Sequence, residues 1–254
     1  MTSFVVVIPA RYASLRFPGK PLAQMDGKPM VAHVIDRARE SGAEEVIVAT
    51  DDERIASAVS ESGCTVAMTR ADHPSGTDRI AEVVAQRGWS DETIVVNAQG
   101  DEPLMPPTLI REVAKSLQQH PDASIATACH PIREAAEFLD TNAVKVVFDK
   151  NGYALYFSRA PIPWPRDQFA SDKSRLPDNL PAYRHIGIYA YRCAFLREYA
   201  ALPPVLPERF ESLEQLRALV NGFRIAVSVA EHAPPPGIDT PEDLERVRAN
   251  NPRL

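Results

Sequence analysis

Short apolar runs alternate with helical segments through the first half of the chain, and no other feature constrains the fold as strongly. The apolar runs lie at residues 4–10, 45–50, 64–69 and 93–97. Segments with helical spacing of apolar residues lie between and after them, at 30–41, 52–62, 77–87 and 107–119. Continuous apolar strands that alternate with helices form parallel sheets with helices on both faces. The pattern therefore predicts an α/β fold.

The second half has a different pattern. Apolar runs at 143–148 and 153–158 flank the sequence DKNG, which is typical of a β-hairpin turn. Further strands are predicted at 185–192 and 224–230, and helices at 194–202, 213–221 and 241–250. We expect this half to add antiparallel strands to the same sheet, within one domain of residues 1–254.

Charge and cysteine content exclude several classes of protein. The 254 residues carry a net charge of -6 without a long run of either sign, so neither nucleic acid nor an anionic membrane is expected as the main partner. Cys64, Cys129 and Cys193 are far apart and lack the spacing of a metal site. Such thiols are typical of the cytoplasm, which is the predicted location. The first apolar run is too short for a secretion signal, and no apolar segment is long enough to span a membrane.

The loop PARYASLRFPGKPL, residues 9–22, follows the first strand and carries Arg11, Arg16, Gly19 and Lys20. Connections between strands and helices usually have only a few residues, and ligands of α/β sheets bind beyond the C-terminal strand ends. Cationic side chains beside a glycine suit a triphosphate. The loop matches neither the phosphate-binding loop nor the dinucleotide fingerprint. The alternative is a solvated basic loop.

Carboxylates follow two other predicted elements. Asp101 and Glu102 come after the fourth strand, in NAQGDEP, where Asp101 could bind Mg²⁺ or the pair could only cap a turn. Asp239, in GIDTPED, precedes the last helix. Thr240 can cap that helix, which would leave the Asp239 carboxylate free.

The loop TRADHPSGTDR, residues 69–79, follows the third strand. Ser75 and Gly76 at its helix start could contact a base or ribose, or could only cap the helix. Because parallel strands end at one edge of the sheet, we expect loops 9–22, 70–79 and 98–103 to lie together.

Taken together, nine segments of the sequence resemble the 3-deoxy-manno-octulosonate (Kdo) cytidylyltransferase family, also called CMP-Kdo synthetases. In order, they are FVVVIPARYASLRFPGKPL, VATDD, TRADHPSGTDR, NAQGDEP, NAVKVV, GYALYFSRAPIPW, RHIGIYAYR, SLEQLR and GIDTPEDLERVR. The resemblance spans nearly the whole chain, from Phe4 to about Ala249. It implies a single domain with the Rossmann-like fold of nucleotide-diphospho-sugar transferases, a mixed and mostly parallel sheet flanked by helices. It also implies a homodimer, with about residues 140–192 as the candidate contact.

The resemblance implies the reaction CTP + Kdo → CMP-Kdo + pyrophosphate, with Mg²⁺ as cofactor, in lipopolysaccharide biosynthesis. It implies Asp101 and Asp239 as metal ligands, and Arg11, Lys20, Asp101 and Asp239 as the catalytic set. The nucleotide-binding residues that it implies are Ala10, Arg11, Arg16, Lys20, Ser75, Gly76 and Arg79. The sugar-binding residues that it implies are Gln99, Arg159, His185, Tyr189 and Glu214. Arg159 would be a natural partner for the sugar carboxylate.

Three alternatives remain open at the level of sequence. The substrate could be another sugar acid, such as 8-amino-Kdo or a sialic acid. The chain could be a hexose-1-phosphate nucleotidyltransferase, although the corresponding loop there is typically richer in glycine. It could also be a nucleotide-binding module without catalysis, although such a module would be expected to lack Lys20 or one of the two aspartates, Asp101 and Asp239.

Overall fold

A mixed nine-stranded sheet forms the centre of the computed structural model, which describes residues 2–13, 16–231 and 233–250. The strands in chain order are β1 (Val5–Pro9), β2 (Gln24–Met25), β3 (Lys28–Pro29), β4 (Glu45–Thr50), β5 (Thr65–Met68), β6 (Ile94–Asn97), β7 (Ile125–Pro131), β8 (Lys145–Phe148), β9 (Ala154–Ser158), β10 (Tyr183–Arg192) and β11 (Ile225–Val229). Strands β2 and β3 form a separate short hairpin.

The helices lie on both faces of this sheet. In chain order they are α1 (Met30–Glu40), α2 (Glu53–Glu61), α3 (Gly76–Arg87), α4 (Pro107–Gln119), α5 (Ala135–Leu139), α6 (Arg166–Ser171), α7 (Cys193–Tyr199), α8 (Leu206–Glu211), α9 (Gln215–Val220) and α10 (Pro241–Asn250). A 3-10 turn, Lys20–Leu22, lies in the loop after β1. Within the described ranges, no helix has the length and apolar character needed to cross a membrane.

The strand order across the sheet is β11-β7-β10-β6-β1-β4-β5. Strands β6, β1, β4 and β5 are parallel, and β11 is parallel to β7. Strand β10 is antiparallel to both β6 and β7, and the β8–β9 hairpin pairs with the start of β10 through Arg184 and Lys145. The predicted α/β fold with a mostly parallel sheet is confirmed.

The antiparallel strands of the second half were expected to extend the sheet, but they do not all lie at its edge. Strand β10 lies in the middle of the sheet, and only the β8–β9 hairpin projects from it. Strand β7 and the short helices α5, α6 and α8 were not predicted. The β7 sequence, IATACHP, has mostly small or polar side chains, and six of its seven residues are buried. A pattern of large apolar residues therefore could not reveal it.

The alternation of side chains along β1 explains why both sheet faces are covered. Val6 and Ile8 lie in one buried cluster with residues of α1 and α4. Val5 and Val7 lie in another, with residues of α3 and α7. Successive side chains of a strand point to opposite faces, so an apolar run buries both only when helices cover both. The rigid sheet between these layers holds the loops at its C-terminal edge.

Candidate active site

Three loops at the C-terminal ends of β1, β5 and β6 meet around a cavity of about 200 Å³, as the sequence predicted. We call this the first cavity. Asp239, from the segment before α10, completes its wall. The lining residues are Pro9, Ala10, Arg11, Arg16, Lys20, Pro21, His73, Ser75, Gly76, Arg79, Gln99, Gly100, Asp101 and Asp239. All seven residues predicted to bind the nucleotide are among them.

Lys20 joins the two aspartates that were predicted to bind metal. Its Nζ donates to Asp101 Oδ2 at 2.7 Å and lies 3.4 Å from Asp239 Oδ1. Arg16 Nη2 also donates to Asp239 Oδ1, at 3.1 Å. The main-chain N–H of Ile238 donates to Asp101 O at 2.8 Å, which fixes the two acidic segments to each other. The carboxylates of Asp101 and Asp239 therefore face one point.

Asp239 is available for this contact because other groups cap α10. Thr240 Oγ1 accepts from the main-chain N–H of Asp243 at 3.2 Å. Asp243 Oδ2 accepts in return from the N–H groups of Asp239 and Thr240, at 3.0 Å each. This is the reciprocal arrangement of a capping box, with Asp in place of Glu. Thr240 caps the helix as expected, and the Asp239 carboxylate is left to bind Lys20 and Arg16.

Glu102 is a third carboxyl group beside the pair. Its Oε2 is buried without a hydrogen-bond partner in the described part of the chain. Burial, followed by the charges of Asp101 and Asp239, raises the pKa of Glu102 to about 8. In this arrangement the carboxyl holds its proton at neutral pH, so the negative charge of the site is carried by the two aspartates.

Gly100 sets the distance between the β6 loop and β1. A Cβ at this position would lie 2.8 Å from the main-chain oxygen of Pro9, which is closer than real Cβ contacts come. Only glycine lets the two backbones approach this closely. The adjoining Asp101 is thereby placed against the end of β1.

A second cavity, of about 370 Å³, adjoins the first. The two share Arg11, Ser75, Gly76 and Gln99. The other lining residues of the second cavity are Pro74, Thr77, Asn97, Ile125, Gly187, Tyr189, Tyr191, Phe195, Tyr199, Ser212, Leu213, Glu214, Gln215 and Ala218. The rings of Tyr189 and Tyr191 stack with centroids 5.8 Å apart, so much of the wall is aromatic.

Three buried polar atoms in the second cavity have no protein partner among the described residues. They are Asn97 Oδ1, Tyr199 Oη and Gln215 Nε2. Buried polar groups normally form hydrogen bonds, so unpaired ones at a cavity wall are suited to a polar ligand or to water. Sequence analysis did not identify these residues, because each lies in an ordinary strand or helix pattern.

Gln99, Tyr189 and Glu214, three of the predicted sugar-binding residues, line the second cavity. Glu214 Oε2 accepts from Thr77 Oγ1 at 3.1 Å, and burial raises the pKa of this carboxyl. The structure thus brings together Gln99 from the loop after β6, Tyr189 from β10 and Glu214, the residue that precedes α9.

His185 and Arg159 are not among the lining residues of either cavity. His185 Nε2 lies 2.9 Å from Thr127 Oγ1, and its ring packs edge-on against Phe157. Burial lowers the pKa of His185 to about 3, so its imidazole is neutral at neutral pH. Arg159 donates through Nε to Glu211 O at 2.6 Å and through Nη1 to Thr141 O at 3.1 Å.

Comparison with known proteins identifies the family. A cytidylyltransferase family model matches residues 5–225. A solved structure described as CMP:2-keto-3-deoxy-manno-octonic acid synthetase complexed with CTP is 45% identical to the chain, covers 99% of both chains and has a TM-score of 0.88. The chain belongs to the CMP-Kdo synthetase family of cytidylyltransferases. The family predicted from the nine sequence segments is thereby confirmed.

A more distant structure shares the fold of this cytidylyltransferase. It is a cytidylyltransferase from Leptospira borgpetersenii serovar Hardjo-bovis, 15% identical, which covers 100% of this chain and 88% of its own with a TM-score of 0.62. In the chain described here, the first cavity is lined by four cationic side chains and two carboxylates. The second is mainly aromatic and polar. The cytidylyltransferase thus has one cavity suited to phosphates and an adjoining one suited to a hydroxylated ligand.

Proposed function

We propose that this cytidylyltransferase catalyses CTP + Kdo → CMP-Kdo + pyrophosphate, the step that activates the sugar for lipopolysaccharide biosynthesis. Family membership supports the reaction type. The observation that carries the assignment of residues is the convergence of Asp101, Asp239 and Lys20 in the first cavity, beside the residues shared with the second. Nucleotide and sugar acid would meet at this junction.

The first cavity would hold CTP. Arg11, Arg16 and Lys20 would neutralise the triphosphate, because cationic donors bind phosphate oxygens strongly. Ala10, Ser75, Gly76 and Arg79 would contact the cytidine end. Lys20 Nζ lies within reach of both carboxylates, so a phosphate oxygen that enters the same space would find a donor already in place.

The residues present also fit Mg²⁺. Asp101 and Asp239 present hard oxygen ligands to one point, which suits a cation that binds through one or two carboxylates and substrate phosphates. When bound there, Mg²⁺ would offset the charge at the α-phosphate and lower the pKa of the attacking hydroxyl. Lys20 would contribute a further positive charge beside the phosphates.

In the proposed reaction, the anomeric hydroxyl oxygen of Kdo bonds to the α-phosphorus of CTP. The bond between that phosphorus and the bridging oxygen of pyrophosphate breaks, and the hydroxyl proton passes to solvent. Such reactions are accelerated mainly by positioning and by charge neutralisation. Arg11 and Gln99 line both cavities and would orient the two substrates relative to each other.

The second cavity would hold the sugar acid. Tyr189 and Glu214 line it and can bind hydroxyl groups. His185, the ring of which lies 5.4 Å from that of Tyr189, would act by supporting Tyr189. Its neutral imidazole would not supply the cation that the Kdo carboxylate needs. Arg11, at the junction, is the cationic residue that lines the second cavity in the described chain.

We also propose that two copies of the chain form a homodimer in the cytoplasm through the β8–β9 hairpin and α8. Large apolar side chains are exposed on these elements: Leu155 is 63%, Leu206 66% and Phe210 85% exposed. The end of α8 contacts the end of β9 through Glu211 and Ser158, and exposed apolar side chains on neighbouring elements suit an interaction site. Light scattering should give the mass of a dimer, and Leu155→Glu should shift the protein to monomer. A monomeric wild type would contradict the proposal.

The decisive experiment measures pyrophosphate release with Mg²⁺, Kdo and each of the four nucleoside triphosphates. We expect release with CTP and Kdo and its loss with EDTA. Asp101→Asn and Asp239→Asn should each lower the rate on the order of a hundredfold. Asp36→Asn, at a surface aspartate paired with Lys28, is the matched control and should leave the rate unchanged.

Other outcomes select among the alternatives. Release only with another sugar acid would keep the mechanism and change the substrate. Turnover that survives both aspartate substitutions would show that the metal assignment is wrong. No release with any sugar acid would favour a nucleotide-binding module.

A further inference from the structure

Strand β10 contains a bulge beside the second cavity. Ile186 and Tyr189 pair with neighbouring residues of β7, the second of them with Thr127. The two residues between them, Gly187 and Ile188, therefore have no counterpart on β7. Pairing of β10 with β6 begins only at Tyr189, and its pairing with β8 lies before Ile186. Among the described strands, the bulge thus has no ladder partner on either side.

This bulge determines which part of the cavity wall Tyr189 forms. Gly187 and Tyr189 both line the second cavity. If β10 paired with β7 one residue to one, Tyr189 would lie opposite Ile125, where Tyr191 now lies. Two residues of a strand span roughly 7 Å, so the ring would move by about that distance. Bulges beside active sites commonly re-aim a side chain in this way.

The Thr127 hydroxyl holds the bulge from the middle of the sheet. Strand β7 lies between β10 and β11, and Thr127 is fully buried and paired on both sides. Its Oγ1 lies 2.7 Å from Ile188 O and 3.2 Å from Ile186 O, the carbonyl oxygens on either side of Gly187. It also lies 2.9 Å from His185 Nε2. One hydroxyl thus contacts three groups of β10.

These contacts also locate the hydrogen of the His185 imidazole. A threonine hydroxyl has one hydrogen to donate, and a carbonyl oxygen can only accept. Whichever of the two carbonyl oxygens receives that hydrogen, Thr127 Oγ1 can only accept from His185. Burial lowers the pKa of His185 to about 3, so the ring is neutral at neutral pH and carries a single N–H. This N–H must lie on Nε2, which leaves Nδ1 as the acceptor nitrogen of a ring that lies against Tyr189.

We propose that Thr127 is a positioning residue for the sugar acid. Its hydroxyl holds the β10 bulge and fixes the ring and the hydrogen of His185, and through both it sets Tyr189 in the wall of the second cavity. Thr127 lines neither cavity, so it acts only through these residues. The inference rests on the proposed function of the second cavity and adds to it a buried residue from the far side of β10.

Steady-state kinetics with CTP and Kdo test the proposal. Thr127→Val keeps the shape of the side chain and removes the hydroxyl, so we expect the KM for Kdo to rise about tenfold, the factor for one buried hydrogen bond left unmade. The KM for CTP should stay within about twofold, because neither Thr127 nor the bulge lines the first cavity. Thr127→Ser, which keeps the hydroxyl, should stay within about threefold of the wild type for Kdo. Thr50→Val, at a fully buried threonine of β4 outside both cavities, is the matched control and should leave both KM values unchanged.

Nuclear magnetic resonance tests the position of the hydrogen directly. The protonated and the bare nitrogen of a neutral imidazole resonate in separate regions of the ¹⁵N spectrum, and His185→Gln identifies the signals of this ring. We expect Nε2 to be protonated in the wild type and in Thr127→Ser. Thr127→Val should show a mixture of both tautomers, because Nε2 no longer has a hydroxyl to donate to. A threonine that only filled space would not change the tautomer.

Four results would overturn the proposal. The first two are an unchanged KM for Kdo in Thr127→Val and equal rises of KM for CTP and Kdo. The third is a Thr127→Ser protein as impaired as Thr127→Val, which would assign the effect to packing of the methyl group. The fourth is a His185 ring protonated at Nδ1 in the wild type.

A second variant and the wild type keep the test decisive. If Thr127→Val does not fold, as judged by loss of its cooperative melting transition, Thr127→Ala is compared with Thr127→Ser in its place. The resonance measurement on the wild type needs no substitution. The wild-type rate with Kdo tests the proposed function separately. If the wild type uses another sugar acid, the same variants are compared with that acid, and if it uses none, the inference fails together with the proposed function.

Discussion

Replacing Gly100 by alanine adds one methyl group where the structure has no room for it. The new Cβ would lie 2.8 Å from the main-chain oxygen of Pro9, whereas ordinary contacts of a Cβ begin at 3.4 Å. Both groups are fixed to backbone, so the loop after β6 must move away from β1 by about 0.6 Å, the difference between these distances. Asp101 is the next residue and would move with the loop.

The size of this shift determines how far we expect kcat and the free energy of unfolding to fall. A misplacement of about 1 Å can cost about a hundredfold in rate, so we expect kcat to fall roughly ten- to hundredfold. Overpacking should also lower the free energy of unfolding by about 1–3 kcal/mol. Pyrophosphate release at saturating CTP and Kdo gives kcat, and urea denaturation gives the free energy of unfolding.

Gly76→Ala is the control for stability at the same cavity. Its Cβ would lie 3.5 Å from Pro9 Cγ, which is an ordinary contact, so its free energy of unfolding should change by less than about 0.5 kcal/mol. A Gly100→Ala protein with both the kcat and the stability of the wild type would refute the claim that this close approach positions Asp101.

Three further predictions concern stability. Burial lowers the pKa of His185 to about 3, against about 6.5 in the unfolded chain. The folded state therefore binds fewer protons than the unfolded state, so the free energy of unfolding should fall by about 2 kcal/mol when the pH is lowered from 7 to 5. In His185→Gln, urea denaturation should show no such loss. Glu208→Gln leaves the buried Arg217 guanidinium without its carboxylate, so the free energy of unfolding should fall by about 3 kcal/mol, seen as a lower urea midpoint at unchanged slope. Lys145→Met leaves three main-chain oxygens without the ammonium that binds them, which should cost about 3 kcal/mol and lower Tm by roughly 6–12 °C in calorimetry. A variant that keeps the wild-type pH dependence, urea midpoint or Tm would contradict the prediction made for its residue.

The first half of the fold could be predicted because large apolar residues mark it. Strands β1, β4 and β6 consist mostly of Val and Ile, and glycines end α2 and α3, so local pattern and tertiary structure agree. Strand β7 could not be predicted in this way. Ala126, Ala128 and Cys129 are buried because β10 and β11 lie against them, and a small side chain shows its burial only once those neighbours are in place.

The candidate site could likewise be predicted only in part. The rule that ligands bind at C-terminal strand ends was enough to bring three loops together around the first cavity. The second cavity depends on how α7 and α9 pack against β10, which no local pattern contains. Tyr199 and Gln215 were therefore missed. The partners of Arg159 were also not predictable, because the direction of a long side chain depends on acceptors, such as Glu211 O, that are distant in sequence.

The place of β10 in the sheet governs the order in which the chain can fold as it is synthesised. Strands β1, β4, β5 and β6 are mutual neighbours and end at Asn97, so they can pair early. Strand β7 ends at Pro131, but its two neighbours begin only at Tyr183 and Ile225. At about 5–20 residues per second, the ribosome needs roughly 3–10 s to cross the 52 positions from Pro131 to Tyr183. Until then one edge of β6 and both edges of β7 stay unpaired, and open strand edges are where aggregation begins. The nascent chain is therefore most in need of chaperone protection between the completion of β7 and the arrival of β10.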